Sequence, residues 1–238
     1  MNIHNASDFE TNNIEFEIKC IGEEKNLIII VDNVFKDPDL VLERLKEYPL
    51  IRNDVKYENL FPGYITYLTL PNWHLDKIFG TALYNYFLVD NPQKPQLRLN
   101  VIDNKELVYD KCLIPHTDLV EYAGQMYLCD YPESYTAFYR YKKTGIESKR
   151  SDWKYKEDFI DIYKLYDHEK ESTLHDRKEN GNYIQYNSID EDDLWECYHK
   201  EPVIKNRLVI HAGNLYHTAY LKHKYDYDDL RYSIALFS

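Results

Sequence analysis

The run Ile114-Pro115-His116-Thr117-Asp118 sets an imidazole and a carboxylate two residues apart. On an extended strand, positions i and i+2 point to one face, so both side chains can reach a single ion. A third ligand has to come from elsewhere in the chain. The segment running from Asn206 to Ala219 offers two imidazoles, His211 and His217. Two neutral imidazoles and one carboxylate on one face of an octahedron suit Fe(II), and they leave three positions open for a bidentate keto acid and dioxygen. Farther on, Arg231 and Ser233 alternate with Tyr232, Ile234 and Leu236. That alternation puts a guanidinium and a hydroxyl on one face of a strand and an apolar row on the other. An inward guanidinium beside a hydroxyl needs an anionic partner, and the tail of a dicarboxylate supplies one through a bidentate contact. A lone His-x-Asp is a common tripeptide; its weight here comes from the later histidine and arginine.

The elements that must position these groups fall into two parts. Ile14 to Ile18 alternates apolar and charged residues, the period of a half-buried strand, and Leu27 to Val31 reads as a deeper one. Asp37-Pro38 opens a helix with Leu40, Val41, Leu45 and Tyr48 on its apolar face, and Pro49 stops it. Phe61-Pro62-Gly63 marks a turn, and Leu75 to Phe87 reads as a second amphipathic helix. From Gln96 onward short strands are expected at Gln96–Ile102, Leu107–Leu113, Gln125–Cys129, Thr136–Tyr141, Arg207–His211 and Arg231–Phe237. The Gly213-Asn214 pair reads as a turn, with His217 beginning the strand that returns from it. A charged stretch at about 142–200 reads as an insertion with helical pieces at Trp153–Tyr166 and Asp192–His199, broken at Gly181-Asn182. Trp153 and Trp195 are read as anchors for it. Helices packed on short strands suggest a single mainly β domain, 1–238, with flanking helices and a double-stranded β-helix (jelly-roll, cupin-like) core.

Bulk properties bound the function. A chain of 238 residues with 44% hydrophobic and 29% charged residues can build one sizeable core. Its 24 Tyr against 7 Gly suit a strand-rich core. A formal net charge of −12 without a long basic run disfavours nucleic acid as a partner. The cysteines Cys20, Cys112, Cys129 and Cys197 are scattered and read as reduced, mostly buried thiols. The first residues carry no apolar signal segment, and Leu27–Val31 is too short to span a bilayer, so a cytoplasmic protein without a membrane partner is expected. Oligomeric state is not legible. His74, His168, His175 and His199 have no partner at ligand spacing, and Lys222 and His223 fall in a polar loop. Arg98 alternates with apolar residues, which fits either an approach to the cavity or a salt bridge at its mouth.

The order His-x-Asp, then a distal His, then Arg-x-Ser resembles the Fe(II)/2-oxoglutarate-dependent oxygenase superfamily. Within it the chain looks most like the branch related to prolyl 4-hydroxylases, in particular a bacterial and phage group. The matching segments are Ile30 to Pro38, Phe61 to Gly63, His116 to Asp118, Gln125 to Asp130, Thr136 to Arg140 and Asn206 to Ile210. The resemblance implies that His116, Asp118 and His217 hold iron, with His211 a packed core histidine where the family has a large apolar residue. It implies that Arg231 and Ser233 clamp the far carboxylate of 2-oxoglutarate, and that Tyr127 hydrogen-bonds the same carboxylate. Two departures stand out: Cys129 occupies a usual Asn place, and Ser134-Tyr135 stands where Gly-Gly often precedes the Thr136 strand. The cofactors implied are Fe(II), 2-oxoglutarate and O2, and the reaction is hydroxylation of a C–H bond, on a prolyl or other peptide side chain. The alternatives are hydroxylation of a free amino acid or small metabolite, and a non-catalytic jelly-roll that binds without turnover.

Overall fold

The computed structural model of the chain describes residues 6–52, 64–68, 74–102, 115–131, 133–149, 195–221 and 230–238. The expected features at Phe61–Gly63, Leu107–Leu113, Trp153–Tyr166 and Gly181–Asn182 lie outside them, as do Cys112, His168, His175, Lys222 and His223.

Strand β1 (Glu17–Ile21) turns back into β2 (Asn26–Val31) through Gly22 and Lys25, whose φ angles are +69° and +57°. This turn fixes the register from Glu17 opposite Ile30 to Ile21 opposite Asn26. The strand therefore begins later than the alternation at Ile14 suggests. Ile14 and Phe16 instead lie against the core, with the Phe16 ring 5.5 Å from that of Tyr86. Helix α1 (Pro38–Lys46) starts where the sequence places it: Asp37 Oδ1 accepts from the Leu40 amide at 3.0 Å, a cap worth about 1 kcal/mol. Val41 and Leu45 are its buried residues. After the short β3 (Ile51–Arg52) and β4 (Tyr64–Leu68), helix α2 (His74–Tyr86) buries Leu75, Ile78, Phe79, Ala82 and Leu83. The remaining strands are β5 (Gln96–Ile102), β6 (Tyr122–Tyr127), β7 (Ser134–Tyr141), β8 (Trp195–Pro202), β9 (Leu208–Ala212), β10 (His217–Leu221) and β11 (Arg231–Phe237). Among the described residues no helix is long and apolar enough to cross a membrane.

The protein is mainly β. An eight-stranded sheet runs β1-β2-β9-β6-β11-β5-β4-β3 and a three-stranded one runs β10-β7-β8, with every pairing antiparallel. One face of the large sheet carries Ile29, Leu99, Ile210 and Ile234 into the same cluster as the buried faces of α1 and α2. Gly124 of β6 lets α2 approach: a Cβ there would lie 3.1 Å from the Phe79 ring. The opposite face looks toward the small sheet. Phe138 of β7 packs with Ile28 and Ile30 of β2, and the Tyr127 hydroxyl of β6 meets that of Thr136 of β7.

Three expectations are corrected. The charge pattern of Asp192–His199 predicts a helix, yet its described part, from Trp195 on, is strand β8. β8 pairs with β7 from Tyr141 opposite Trp195 to Tyr135 opposite Pro202, and this long-range ladder overrides the local helical pattern. Trp195 is buried with Tyr139, Tyr141 and Tyr216. The Gly213-Asn214 turn exists, but it does not close a hairpin. β9 belongs to the large sheet and β10 to the small one, so the turn carries the chain from one sheet to the other. Of the three described cysteines, none is fully buried: Cys20 is exposed on the edge strand β1, and Cys129 and Cys197 are half-buried free thiols.

Candidate metal centre

His217 is the first residue of β10 and pairs with Phe138 of β7. His116 lies outside the two sheets, yet its backbone is bonded to that of His217 in both directions. The His116 amide donates to the His217 carbonyl at 3.0 Å, and the His217 amide donates back at 2.9 Å. The two rings stand 4.8 Å apart. Two residues on, the Asp118 amide donates to the Gly213 carbonyl at 2.8 Å, and the Gly213 amide donates to the Glu121 carbonyl at 2.8 Å. The 116–121 segment is thus strapped to the turn between β9 and β10. That strap needs glycine, because a Cβ on Gly213 would lie 2.2 Å from the Val120 carbonyl oxygen.

The result is a convergent donor set. Each of His116, Asp118 and His217 offers a ligand atom, and these atoms lie within 4.8 Å of one another. Among the described residues no other group of three or more such side chains meets that condition. Asp118 Oδ2 is 3.4 Å from His217 Nε2. His217 Nδ1 is 2.9 Å from the Leu215 carbonyl oxygen. A carbonyl only accepts, so Nδ1 carries the proton and Nε2 keeps its lone pair on the side of Asp118. Burial lowers the His217 pKa and the His211 imidazole adds to that, against the pull of Asp118 and of the Leu215 carbonyl. The neutral, ligand-competent form is favoured.

His211 is not part of the donor set, although its ring centroid is only 4.5 Å from that of His217. It is buried, donates Nδ1–H to the Ala212 carbonyl at 2.9 Å, and meets Phe138 edge-on at 5.4 Å. Its pKa is lowered by burial. Sequence reasoning places it as a packed histidine but misses its contact with His217, because the two rings come from different sheets.

The other expected site residues gather on β11 and β6. Arg231 and Ser233 are both buried, while Tyr232, Ile234 and Leu236 turn to the helix-side cluster, as the alternation implies. Ser233 lies opposite Tyr127 in the β11–β6 ladder. The Arg231 guanidinium stands 5.8 Å from the Tyr127 ring centroid and 5.6 Å from that of Tyr131. Burial raises the Tyr127 pKa against the opposing charge of Arg231, so its phenol stays protonated. Its hydroxyl partner Thr136 has no role assigned from sequence, although it lies in a segment that carries the resemblance. Tyr131 gives no signal beyond its residue type.

A model of DUF6445, described as a family of unknown function, matches residues 12–231 of the chain. No curated protein matches it.

Proposed function

Because the chain belongs to the DUF6445 family, whose description assigns no activity, we propose its reaction from the site itself: an Fe(II)- and 2-oxoglutarate-dependent oxygenase that hydroxylates a C–H bond, built on a double-stranded β-helix. The observation that carries this reading is the convergent donor set of His116, Asp118 and His217 beside the β9–β10 turn that passes between the two antiparallel sheets. On the face of the large sheet turned toward the small one, a buried arginine lies near a serine and a tyrosine. The crossing of the chain between sheets at Gly213-Asn214 supports the jelly-roll architecture.

The residues fit the ion by donor chemistry: two imidazoles, one fixed with Nε2 as the ligand atom, and one carboxylate within reach. When bound, Fe(II) with 2-oxoglutarate and O2 supplies the oxidising chemistry. The chain's own tasks are different. His116, Asp118 and His217 would hold the ion. Arg231 and Ser233 would hold a carboxylate of the co-substrate by charge-assisted hydrogen bonds, and the Tyr127 hydroxyl, set by Thr136, would add a donor beside them. Phe138, 6.4 Å from the His217 ring, and the buried Ile28 and Ile30 of β2 would keep the surroundings of the ion apolar. A peptide side chain is the substrate that the sequence resemblance favours.

The test is spectroscopic. Mixed anaerobically with Fe(II) and 2-oxoglutarate, the protein should develop the visible charge-transfer band of an iron–keto acid chelate. His217→Ala should abolish the band and His211→Ala should retain it. A wild-type protein without the band would sink the oxygenase reading, and the reverse pattern for the two variants would move the third ligand to His211.

A further inference from the structure

On β6 the side chains of Ala123, Gln125 and Tyr127 share the face turned toward the small sheet, because Gly124 meets Phe79 of α2 and Met126 joins the helix-side cluster. Gln125 lies opposite Val209 of β9 on one side and Ala235 of β11 on the other. Its four neighbours on that face are closed off: Ala123 is 3% exposed, Tyr127 1%, Val209 0% and Ala235 1%. Gln125 itself is only half-buried, so the face opens above it, in the middle of a sealed patch. Of these neighbours, Ala123, Val209 and Ala235 have no polar side-chain atom, and the Tyr127 hydroxyl is engaged with that of Thr136. The sheet around Gln125 therefore leaves its amide, with two donors and an acceptor, to whatever enters the opening.

The same strand sets the distance of Gln125 from both ends of the proposed site. Ala123 is opposite His211, whose ring stands 4.5 Å from that of His217. Tyr127 is opposite Ser233, and the Arg231 guanidinium is 5.8 Å from the Tyr127 ring. Gln125 is two residues from each, about 7 Å along the strand. A molecule that reaches from the His217 end to Arg231 passes over it. A keto diacid in its ionised form offers acceptors only. Its far carboxylate has Arg231, Ser233 and Tyr127, and its middle is two methylenes. The acceptors left for an amide N–H are those of the keto acid group.

We propose that Gln125 is a further co-substrate-binding residue: its amide N–H donates to the keto acid group of 2-oxoglutarate at the metal end. The assignment rests on the oxygenase reading. It gives the keto acid group a recognition element separate from Arg231.

The experiment titrates the chelate band of the full chain with Fe(II) under anaerobic conditions. One series uses 2-oxoglutarate, and the other uses pyruvate, which keeps the keto acid and lacks the far carboxylate. Gln125→Met keeps the length of the side chain and removes the amide, whereas Gln125→Glu keeps its shape and adds a negative charge. Gln125→Met should weaken both keto acids by the same factor, about tenfold, as expected for one hydrogen bond to a charged group. Gln125→Glu should weaken both further, because like charges then face each other. Arg231→Met, by contrast, should spare pyruvate. The zinc affinity and urea midpoint of Gln125→Met should match those of the wild type, since the amide holds neither an ion ligand nor a neighbour. Unchanged affinity for both keto acids, a loss confined to 2-oxoglutarate, or a fall in zinc affinity or urea midpoint would each overturn the proposal and leave the oxygenase reading standing. A wild-type protein that binds zinc but shows no band with either keto acid would remove that reading, and this assignment with it.

Discussion

The side chains of the proposed centre are oriented by backbone carbonyls as much as by one another. Leu215 fixes the tautomer of His217, and Ala212 does the same for His211. At the other end, Thr136 holds the hydroxyl of Tyr127 beneath the Arg231 guanidinium. If Arg231 clamps the co-substrate, Arg231→Met removes a charge-assisted pair worth about 2–3 kcal/mol and should weaken 2-oxoglutarate about a hundredfold. Thr136→Val only frees the tyrosine hydroxyl to turn and should cost about fivefold. Titrating the chelate band measures both, with zinc affinity as the control that neither should move. An Arg231→Met protein with wild-type affinity would remove Arg231 from the site. Much at this scale is legible in the chain. The inward turn of Arg231 and Ser233 follows from strand parity alone, because the residues between them are apolar. The contacts of Thr136 with Tyr127 and of His211 with His217 are not legible, since each joins residues of different sheets. Periodicity describes one strand at a time and says nothing about which face of another sheet lies across from it.

Among the elements, the turn between β9 and β10 does the positioning. It carries the chain between sheets, and its Gly213 touches the Val120 carbonyl so closely that any side chain must push the 116–121 segment away. Gly213→Ala should therefore leave a folded protein whose zinc affinity, measured by calorimetry, falls at least about tenfold as Asp118 is displaced. Unchanged affinity would mean that the strap does not set the ligand geometry. Helices α1 and α2 and strands β5 and β11 are readable because each has its own signal: a cap and a proline, an apolar stripe, or a clean alternation. β8 has no such signal. Its charged residues suit a helix locally, and only the ladder with β7 makes it a strand. The start of β1 shifts for a similar reason, because the Gly22 and Lys25 turn sets the pairing rather than the alternation that precedes it.

Across the whole molecule, buried charges clip the two sheets together. Arg207 next to β9 binds Asp32 with Nε at 2.6 Å and Nη2 at 2.8 Å, and reaches Glu201 of β8 with Nη1 at 2.7 Å. Lys19 of β1 reaches Glu201 at 3.0 Å. Glu147, with no exposed surface, takes Arg140 and the amides of Glu23 and Glu24, and so locks the β1–β2 turn. Burial alone would raise the Glu201 pKa, but His199, Lys19 and Arg207 outweigh it and hold the carboxyl below its usual value. A depressed carboxyl contributes stability that is complete above the ordinary glutamate pKa of about 4.3, and that stability is lost as the pH falls through the lower folded value. The urea midpoint should thus drop between neutral pH and about pH 3. Glu201→Gln should be less stable at neutral pH, and the two curves should converge in acid. Equal steepness in both proteins would show that another group carries the effect. The backbone pair between His116 and His217 has a wider bearing. It closes the two ligand-bearing segments on each other with hydrogen bonds that need no ion. If the centre holds iron, as proposed, folding should then not wait on the ion. On that reading, the chain in a cell starved of the metal would still accumulate in its finished shape, and supply would govern how many copies are loaded, by mass action, rather than how many survive.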